Sequence, residues 1–408
     1  MNELAAQHPL VFIVVPKVLI LLFLLLTSLA YLTWFERKVV AHIQSRWGPY
    51  RVGPHGLMQP LADGLKFLFK EDTTPAAADK FAYFLAPFLA LSLAITSIAV
   101  IPFGPQDLTI FGQSTPMGIT NLNIGLLILF AITSMGVYGV ALAGWSSNSK
   151  YPLLGGLRSS AQMVSYELTL TMSVVGVVLM AGTFNLSEIV TAQQSFYWGI
   201  IPRWNVIGAP LPQILGFLLF FTAAVAETNR APFDLAEAES ELVAGFHTEY
   251  SSFKFAMFFM AEYASMITVS CLATILFFGG WLSPFPQTPF YAWTHFIPAA
   301  FFALAGLALI VHGVRYITLW GRVVLPILGL VLCGLGILCG QPGVREFVQG
   351  PFWFLLKIVV VLFVYVWTRG TLPRFRYDQL MNFGWKVLLP LSIVNVVITS
   401  LAIVMTQR

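Results

Sequence analysis

The segment from Ala226 to Tyr250, AETNRAPFDLAEAESELVAGFHTEY, gathers Glu227, Asp234, Glu237, Glu239, Glu241 and Glu249 against one basic residue, Arg230, in a chain with only 18 acidic residues. Carboxylates crowded together repel one another, and where water is scarce they titrate as coupled groups that share protons near neutral pH. A row of such groups can pass protons along. The same stretch carries Phe233, Leu235, Leu242, Val243 and Phe246, which suit docking onto a surface better than free solvation. Pro232 disfavours helical geometry at Ala231, so a preceding helix should end near Arg230. A short helix can then start at Asp234, with Glu237 at capping-box spacing and Glu237 and Glu241 on one face. The competing reading is a plain helix cap worth about 1 kcal/mol, with the remaining acids facing water.

Two further carboxylates stand inside apolar sequence, Glu167 in AQMVSYELTLTMS and Glu262 in FFMAEYASMITVS. An ionised group at the centre of a bilayer costs about 2.5–3.5 kcal/mol even on the lenient insertion scale, so each must be neutral, paired or in a wet cavity. A functional role is the default inference, and a structural hydrogen bond between helices is the alternative. Lys17 lies near enough to the end of its apolar run to snorkel and is given no role; Lys357, deeper along its helix, is left open. The histidines are scattered with no i, i+4 pair, and Cys271, Cys333 and Cys339 show no C-x-x-C spacing, which argues against a haem, zinc or iron–sulfur site in this chain. No glycine-rich dinucleotide or phosphate fingerprint is present.

The elements that must position these groups are membrane helices. Over 408 residues the chain is 58% hydrophobic and 10% charged, too apolar to coat a water-soluble globule. Its apolar runs are long enough to cross a hydrocarbon core about 30 Å thick, and no alternating pattern suggests a barrel. The expected fold is an all-α polytopic bundle of about ten spans, near 10–35, 80–102, 121–145, 160–182, 212–227, 253–279, 295–318, 322–340, 351–369 and 386–406. Lysine and arginine concentrate in the odd loops, while the even loops hold only Arg203 and Arg345. That asymmetry sets the odd loops on the cytoplasmic side and both termini outside. It also accounts for the basic balance without a nucleic-acid partner. The first apolar run is too long and wrongly flanked, by Glu36, Arg37 and Lys38, for a cleaved signal peptide. Residues 1–408 read as one membrane domain.

Between the first two spans, Gly56 to Lys70 is too short and too charged to cross. Leu57, Leu61, Leu65 and Leu68 recur at helical spacing opposite Gln59, Asp63, Lys66 and Lys70, the pattern of a helix lying in the interface. It can be a surface anchor, or the wall of an opening through which a lipid-soluble molecule leaves the bilayer.

Four separated segments, ERKVVAHIQSRWGPYRVGPHGLMQPLADGLKFLFKE at 36–71, GWSSNSKYPLLGGLRSSAQMVSYE at 144–167, the acidic stretch at 226–250 and RGTLPRFRYDQLM at 369–381, carry a resemblance to a known family. In order and topology they resemble the quinone-tunnel membrane subunits of respiratory complex I, the NADH:quinone oxidoreductases, in the bacterial form that corresponds to mitochondrial ND-one. The resemblance covers most of 10–280 and 351–408. Tyr50 stands where that family usually has asparagine, and residues 285–350 look like an inserted pair of helices relative to shorter members. The resemblance implies a tunnel for ubiquinone or menaquinone walled by Arg37, Arg46, Asp63, Phe233 and Arg369. It also implies a proton relay through Glu167, Glu227, Asp234, Glu237, Glu239, Glu241 and Glu262. No cofactor is expected on this chain alone. FMN and iron–sulfur clusters would reside in partners: peripheral quinone-site subunits, one carrying the terminal cluster, beside small membrane subunits and antiporter-like subunits in a bacterial inner membrane. An equivalent subunit of a membrane-bound hydrogenase or of a ferredoxin- or F420-linked complex, and a stand-alone ion-coupled transporter, are the rival readings.

Overall fold

The structure, a computed structural model, describes residues 10–105, 108–110, 113–208, 210–234, 244–286, 288–316 and 318–407. Among these, nine helices are long and apolar enough to span a bilayer. They are α1 (Leu10–Ile43), α3 (Lys80–Ile98), α4 (Gly125–Ser146), α5 (Lys150–Ala181), α8 (Ser252–Phe277), α9 (Tyr291–Val314), α10 (Leu319–Gly340), α11 (Pro342–Thr371) and α12 (Tyr377–Thr406). Three shorter helices complete the set: α2 (Gln59–Phe69), α6 (Leu186–Thr191) and α7 (Ile214–Glu227). All ten expected spans are therefore present as helices, the fifth as the short α7. Strand among the described residues is confined to two small hairpins, Leu108–Ile110 with Gln113–Thr115 and Phe196–Tyr197 with Ile201–Pro202.

The largest departures from the expected boundaries are extensions. Helix α1 runs on to Ile43, α5 begins at Lys150 and α11 at Pro342. In α11 a proline at the first turn lacks only an N–H that would be unpaired anyway. Pro351, inside the helix, does not end it. Helix α7 is about 21 Å long at 1.5 Å per residue, short of a full crossing. Irregular backbone finishes the passage at both ends, which is tolerated at depth only where protein covers it. Gln213 before α7 is buried, its Nε2 donating to Thr399 Oγ1 at 2.9 Å and its Oε1 accepting from Asn395 Nδ2 at 3.0 Å.

Loop contacts divide the molecule into two ends. At one end Asp79 N–H donates to the Ser146 carbonyl, Thr73 N–H to Ser251 Oγ, His55 N–H to Tyr316 Oη and Phe375 N–H to the Pro232 carbonyl. These join the first, third, fifth, seventh and ninth loops. At the other end Lys17 donates to the Pro116 carbonyl and Leu126 N–H to the Phe184 carbonyl. The alternation of basic loops thus matches a physical sidedness.

The buried core lies among α1, α3, α4, α5, α7, α8 and α11. Helices α9 and α10 form a hairpin packed chiefly on itself, touching α11 and the turn before α2. Glycines let its two backbones meet: a Cβ on Gly306 would lie 2.6 Å from the Gly329 carbonyl oxygen, and one on Gly336 2.9 Å from that of Ala299.

Candidate functional site

Helix α2 lies with Leu61, Leu65, Leu68 and Phe69 exposed and no residue buried, as an interfacial helix resting on lipid requires. From its polar stripe, Asp63 meets α1. Arg37 Nη1 meets Asp63 Oδ2 at 2.7 Å, and Gln59 Nε2 donates to Asp63 Oδ1 at 3.0 Å. At the far end of α2, Ser252 Oγ donates to the carbonyls of Phe67 and Lys70 at 2.8 and 3.0 Å, tying the helix to the start of α8. Arg37 and Asp63 therefore sit where α2 meets α1, with the start of α8 held at the far end of α2. Arg46 does not join them: it is exposed on the turn after α1, bonded to Gln44.

One residue behind Arg37, the extension of α1 carries Glu36 into the interior, where it is 3% exposed. Glu36 Oε2 accepts a 2.6 Å hydrogen bond from Tyr263 Oη. Its Oε1 is in contact with Arg369 and lies 3.6 Å from Arg230 Nη1. Arg230 is buried, its guanidinium 4.2 Å above the Tyr263 ring, and its Nη2 lies 3.7 Å from Glu262 Oε2. Glu262 Oε1 in turn lies 3.6 Å from His247 Nε2. A file of charges on α1, α8, α11 and the stretch after α7 thus runs inward from the α1–α2 contact.

The file ends on a cavity of about 70 Å³ lined by Glu227, Thr228, Asn229, Glu262, Ser265 and apolar side chains of α3, α4, α5 and α8. Glu227 Oε2 and Asn229 Oδ1 are buried with no hydrogen-bond partner among the described residues. A cavity of this size with several polar groups on its wall has room for waters, which need only about one probe sphere of space and a few polar partners. Glu167, hydrogen-bonded by Ser134 Oγ, lies within electrostatic reach of Glu227. The two intramembrane carboxylates and Glu227 therefore belong to one polar region.

The backbone after α7 is held in this place by neighbours. Gln162 Nε2 on α5 donates at 2.8 Å to the carbonyls of both Ala226 and Phe233. Phe233 stacks on Phe375 with ring centroids 5.4 Å apart, and Asp234 Oδ2 lies 3.3 Å from Arg374 Nη2. The stretch returns at Gly245–His247, where it runs against α5: a Cβ on Gly155 would stand 2.7 Å from Gly245 Cα. Tyr250 stacks on Tyr83 at 4.2 Å and donates to its carbonyl; burial pushes the Tyr250 hydroxyl up to about 12, so it remains a donor at any physiological pH. Glu237, Glu239 and Glu241 lie outside the described residues.

Sequence reasoning does not single out Glu36, Arg230, Tyr263, His247 or Arg374 as site residues. Glu36 reads as the polar flank of a span, and its burial follows from α1 continuing for two more turns. His247 reads as a lone histidine. Among the described residues no three His, Cys, Asp or Glu side chains converge as metal ligands do.

The fold and the site together define a multi-pass membrane protein in which a file of charges behind the α1–α2 contact leads to buried carboxylates. Residues 16–400 match the NADH dehydrogenase family, and the chain belongs to it. It is 50% identical over 398 residues to an NADH-quinone oxidoreductase H-type subunit of Solibacter usitatus (strain Ellin6076), covering 98% of both chains. It is 51% identical over 395 residues to a protein of the same name from Koribacter versatilis (strain Ellin345), covering 94% of this chain and 95% of the other. The corresponding protein of Geobacter metallireducens (strain ATCC 53774 / DSM 7210 / GS-15) is 42% identical over 398 residues, with 95% and 94% covered. The alignment to the Solibacter relative covers 98% of this chain, and so reaches into the sequence of the α9–α10 hairpin.

Proposed function

We propose that this chain is the membrane subunit of a proton-translocating NADH-quinone oxidoreductase in a bacterial inner membrane, with its basic loops on the cytoplasmic side. It admits quinone from the bilayer between α1, α2 and α8 and couples quinone reduction to proton pumping. Arg37, Asp63, Arg369 and Phe233 line the approach, with Arg46 at its outer margin. Glu262, Glu227, Glu167 and Asp234, joined by Glu237, Glu239 and Glu241, form the relay. The observation that carries this reading is the unbroken sequence of ionisable contacts from Glu36, directly behind the opening, through Arg230 to Glu262 and the cavity at Glu227.

Apolar and aromatic walls suit an isoprenoid tail, while a few charges orient the headgroup. FMN and iron–sulfur clusters would reside in peripheral partners and would supply the electrons, while this chain supplies the approach. Reduction of a quinone to a quinol takes two electrons, supplied by the partners, and two protons, and the groups that give up those protons change their charge at the end of the tunnel. Arg230 lies between Glu36 and Glu262, so any charge change near Glu36 alters the field at Glu262 over one side-chain length. Proton rearrangement among Glu262, waters of the cavity, Glu227 and Glu167 then passes the signal toward small membrane subunits and antiporter-like partners.

The test uses sealed vesicles containing the assembled complex. Glu262→Gln and Glu227→Gln should depress quinone-coupled proton pumping while NADH oxidation by an artificial acceptor, which bypasses the quinone, stays at the parental rate. Pumping and quinone turnover both at parental levels would remove the two carboxylates from the relay.

A further inference from the structure

His55 lies in the turn that launches α2 and adopts a left-handed backbone, φ 52° and ψ 21°, between Gly53 and Gly56, both also at positive φ. Such a conformation in a residue with a Cβ persists only where surrounding contacts over-determine it. Those contacts come from two sides. From α1, Trp34 Nε1 donates to the His55 carbonyl at 3.2 Å. From the α9–α10 hairpin, Tyr316 Oη accepts from His55 N–H at 3.1 Å, and His312 Nε2 lies 2.7 Å from His55 Nε2.

The hairpin side of this contact is rigid. Arg322 Nε, on α10, donates to the Tyr316 carbonyl at 2.7 Å, and the Tyr316 ring lies so close to Gly321 that any Cβ there would collide with it. The turn itself is tightly wound: a Cβ on Gly56 would lie 2.3 Å from the Pro49 carbonyl oxygen, and Met58 N–H bonds the Val52 carbonyl. Met58 is the residue before the first turn of α2. Any change in the His55 backbone is therefore delivered directly to the axis of α2, whose other end is fixed by Ser252.

We propose that His55, His312 and Tyr316 are positioning residues for quinone access, clamping the α9–α10 hairpin onto the strained turn before α2 so that the lip of the opening is held in place, and that double protonation of the two histidines releases the clamp. This rests on the quinone-access reading of that opening. A single Nε2–H···Nε2 hydrogen bond satisfies the pair when at least one ring is neutral; with both rings protonated, two donors and two positive charges face each other. The other groups facing the pair offer no compensation. They are Lys38 from α1, Tyr50, whose ring meets His55 edge-on at 5.5 Å, and Tyr316 itself, while Arg322 is turned to the Tyr316 carbonyl. Burial, with His312 and Lys38 beside it, holds His55 below the ordinary histidine range. The clamped state therefore keeps its stability above about pH 6.5, the ordinary value, and loses it as pH falls from there.

The experiment measures KM and kcat of the assembled complex for a long-tailed quinone between about pH 5.5 and 7.5, with artificial-acceptor activity as the control for assembly. At pH 7.5, Tyr316→Phe and His312→Leu should raise KM about threefold to tenfold with kcat little changed. The parent's KM should rise as the pH is lowered. His312→Gln, which keeps an amide that bonds either protonation state of His55, should hold KM near the parental value and abolish its rise at low pH. A KM unmoved by Tyr316→Phe and His312→Leu while Arg37→Ala still raises it overturns the clamp and leaves the access reading intact. A KM that neither Arg37→Ala nor the clamp variants move overturns both.

Discussion

Tyr263 on α8 and Glu36 on α1 are joined by a 2.6 Å hydrogen bond in the interior of the protein, so the two walls of the proposed quinone passage are tied together by a charge-assisted contact. Tyr263→Phe removes one donor and leaves Glu36 its two arginines, a change on the scale of about 1.5–3 kcal/mol. Glu36→Ala leaves Arg230 and Arg369 without that carboxylate, on the scale of about 3–5 kcal/mol for breaking a buried ion pair. Thermal unfolding of the detergent-solubilised complex should rank the parent above Tyr263→Phe and Tyr263→Phe above Glu36→Ala. The reverse order would mean that Glu36 is not held as an ion there.

Arg230 touches both Glu36 and Glu262 through different nitrogens, at 3.6 and 3.7 Å. A lysine is a point charge and cannot reach two carboxylates with separate arms. Arg230→Lys should therefore lose coupling more than charge: quinone turnover falls about tenfold or more, and the pumping that accompanies each remaining turnover falls as well. Steady-state turnover and vesicle acidification measured on one preparation check this. A lysine variant that pumps at the parental ratio would show that the bridge is not the connection.

The membrane spans are legible in sequence because each is a long apolar run closed by charge, proline or glycine, and the sidedness because basic residues alternate between loops that the fold then brings together, as at Asp79 with Ser146. The intramembrane acids Glu167 and Glu262 are legible for the same reason: a charge in an apolar run is costly and conspicuous. Glu36 is hidden by its neighbours Arg37 and Lys38, which make it look like the flank of a span, and only the length of α1 decides that it is inside. The His55–His312 contact is hidden by distance along the chain. Neither histidine has a partner at helical spacing, and their meeting depends on how the α9–α10 hairpin docks. Tyr50, which stands out in sequence only as a departure from the family pattern, packs on His55.

Arg37 and Asp63 form an ion pair at the proposed lip, and both remain partly exposed, at 50% and 26%. An exposed pair contributes only about 0.2–1 kcal/mol, so neither Arg37→Ala nor Asp63→Asn should lower the melting temperature appreciably. Both should raise the KM for quinone by loosening α2 from α1. The exchange Arg37→Asp with Asp63→Arg should recover part of that loss, because the geometry can be remade with the charges reversed. A double variant as impaired as the worse single variant would indicate that Arg37 acts on the quinone directly and not through α2.

Lys357 on α11 closes the end of the molecule opposite the proposed quinone opening. Its Nζ donates to the carbonyls of Phe278, Gly280 and Leu282 at 2.7, 2.9 and 2.7 Å, and it lies 4.3 Å above the Trp204 ring. These carbonyls follow the last turn of α8, where helix geometry supplies no internal donors and a cation is favoured by the helix dipole. Lys357→Met leaves the three acceptors without that donor, at about 1–3 kcal/mol for each that water cannot reach. Lys357→Gln restores two N–H groups without the charge. The melting temperature should fall in the order parent, Gln, Met, while the KM for quinone in the assembled fraction stays at the parental value, since the ammonium lies at the other end of α8 from Ser252. A methionine variant that melts with the parent would show that water or a neighbouring backbone donor already satisfies this helix end.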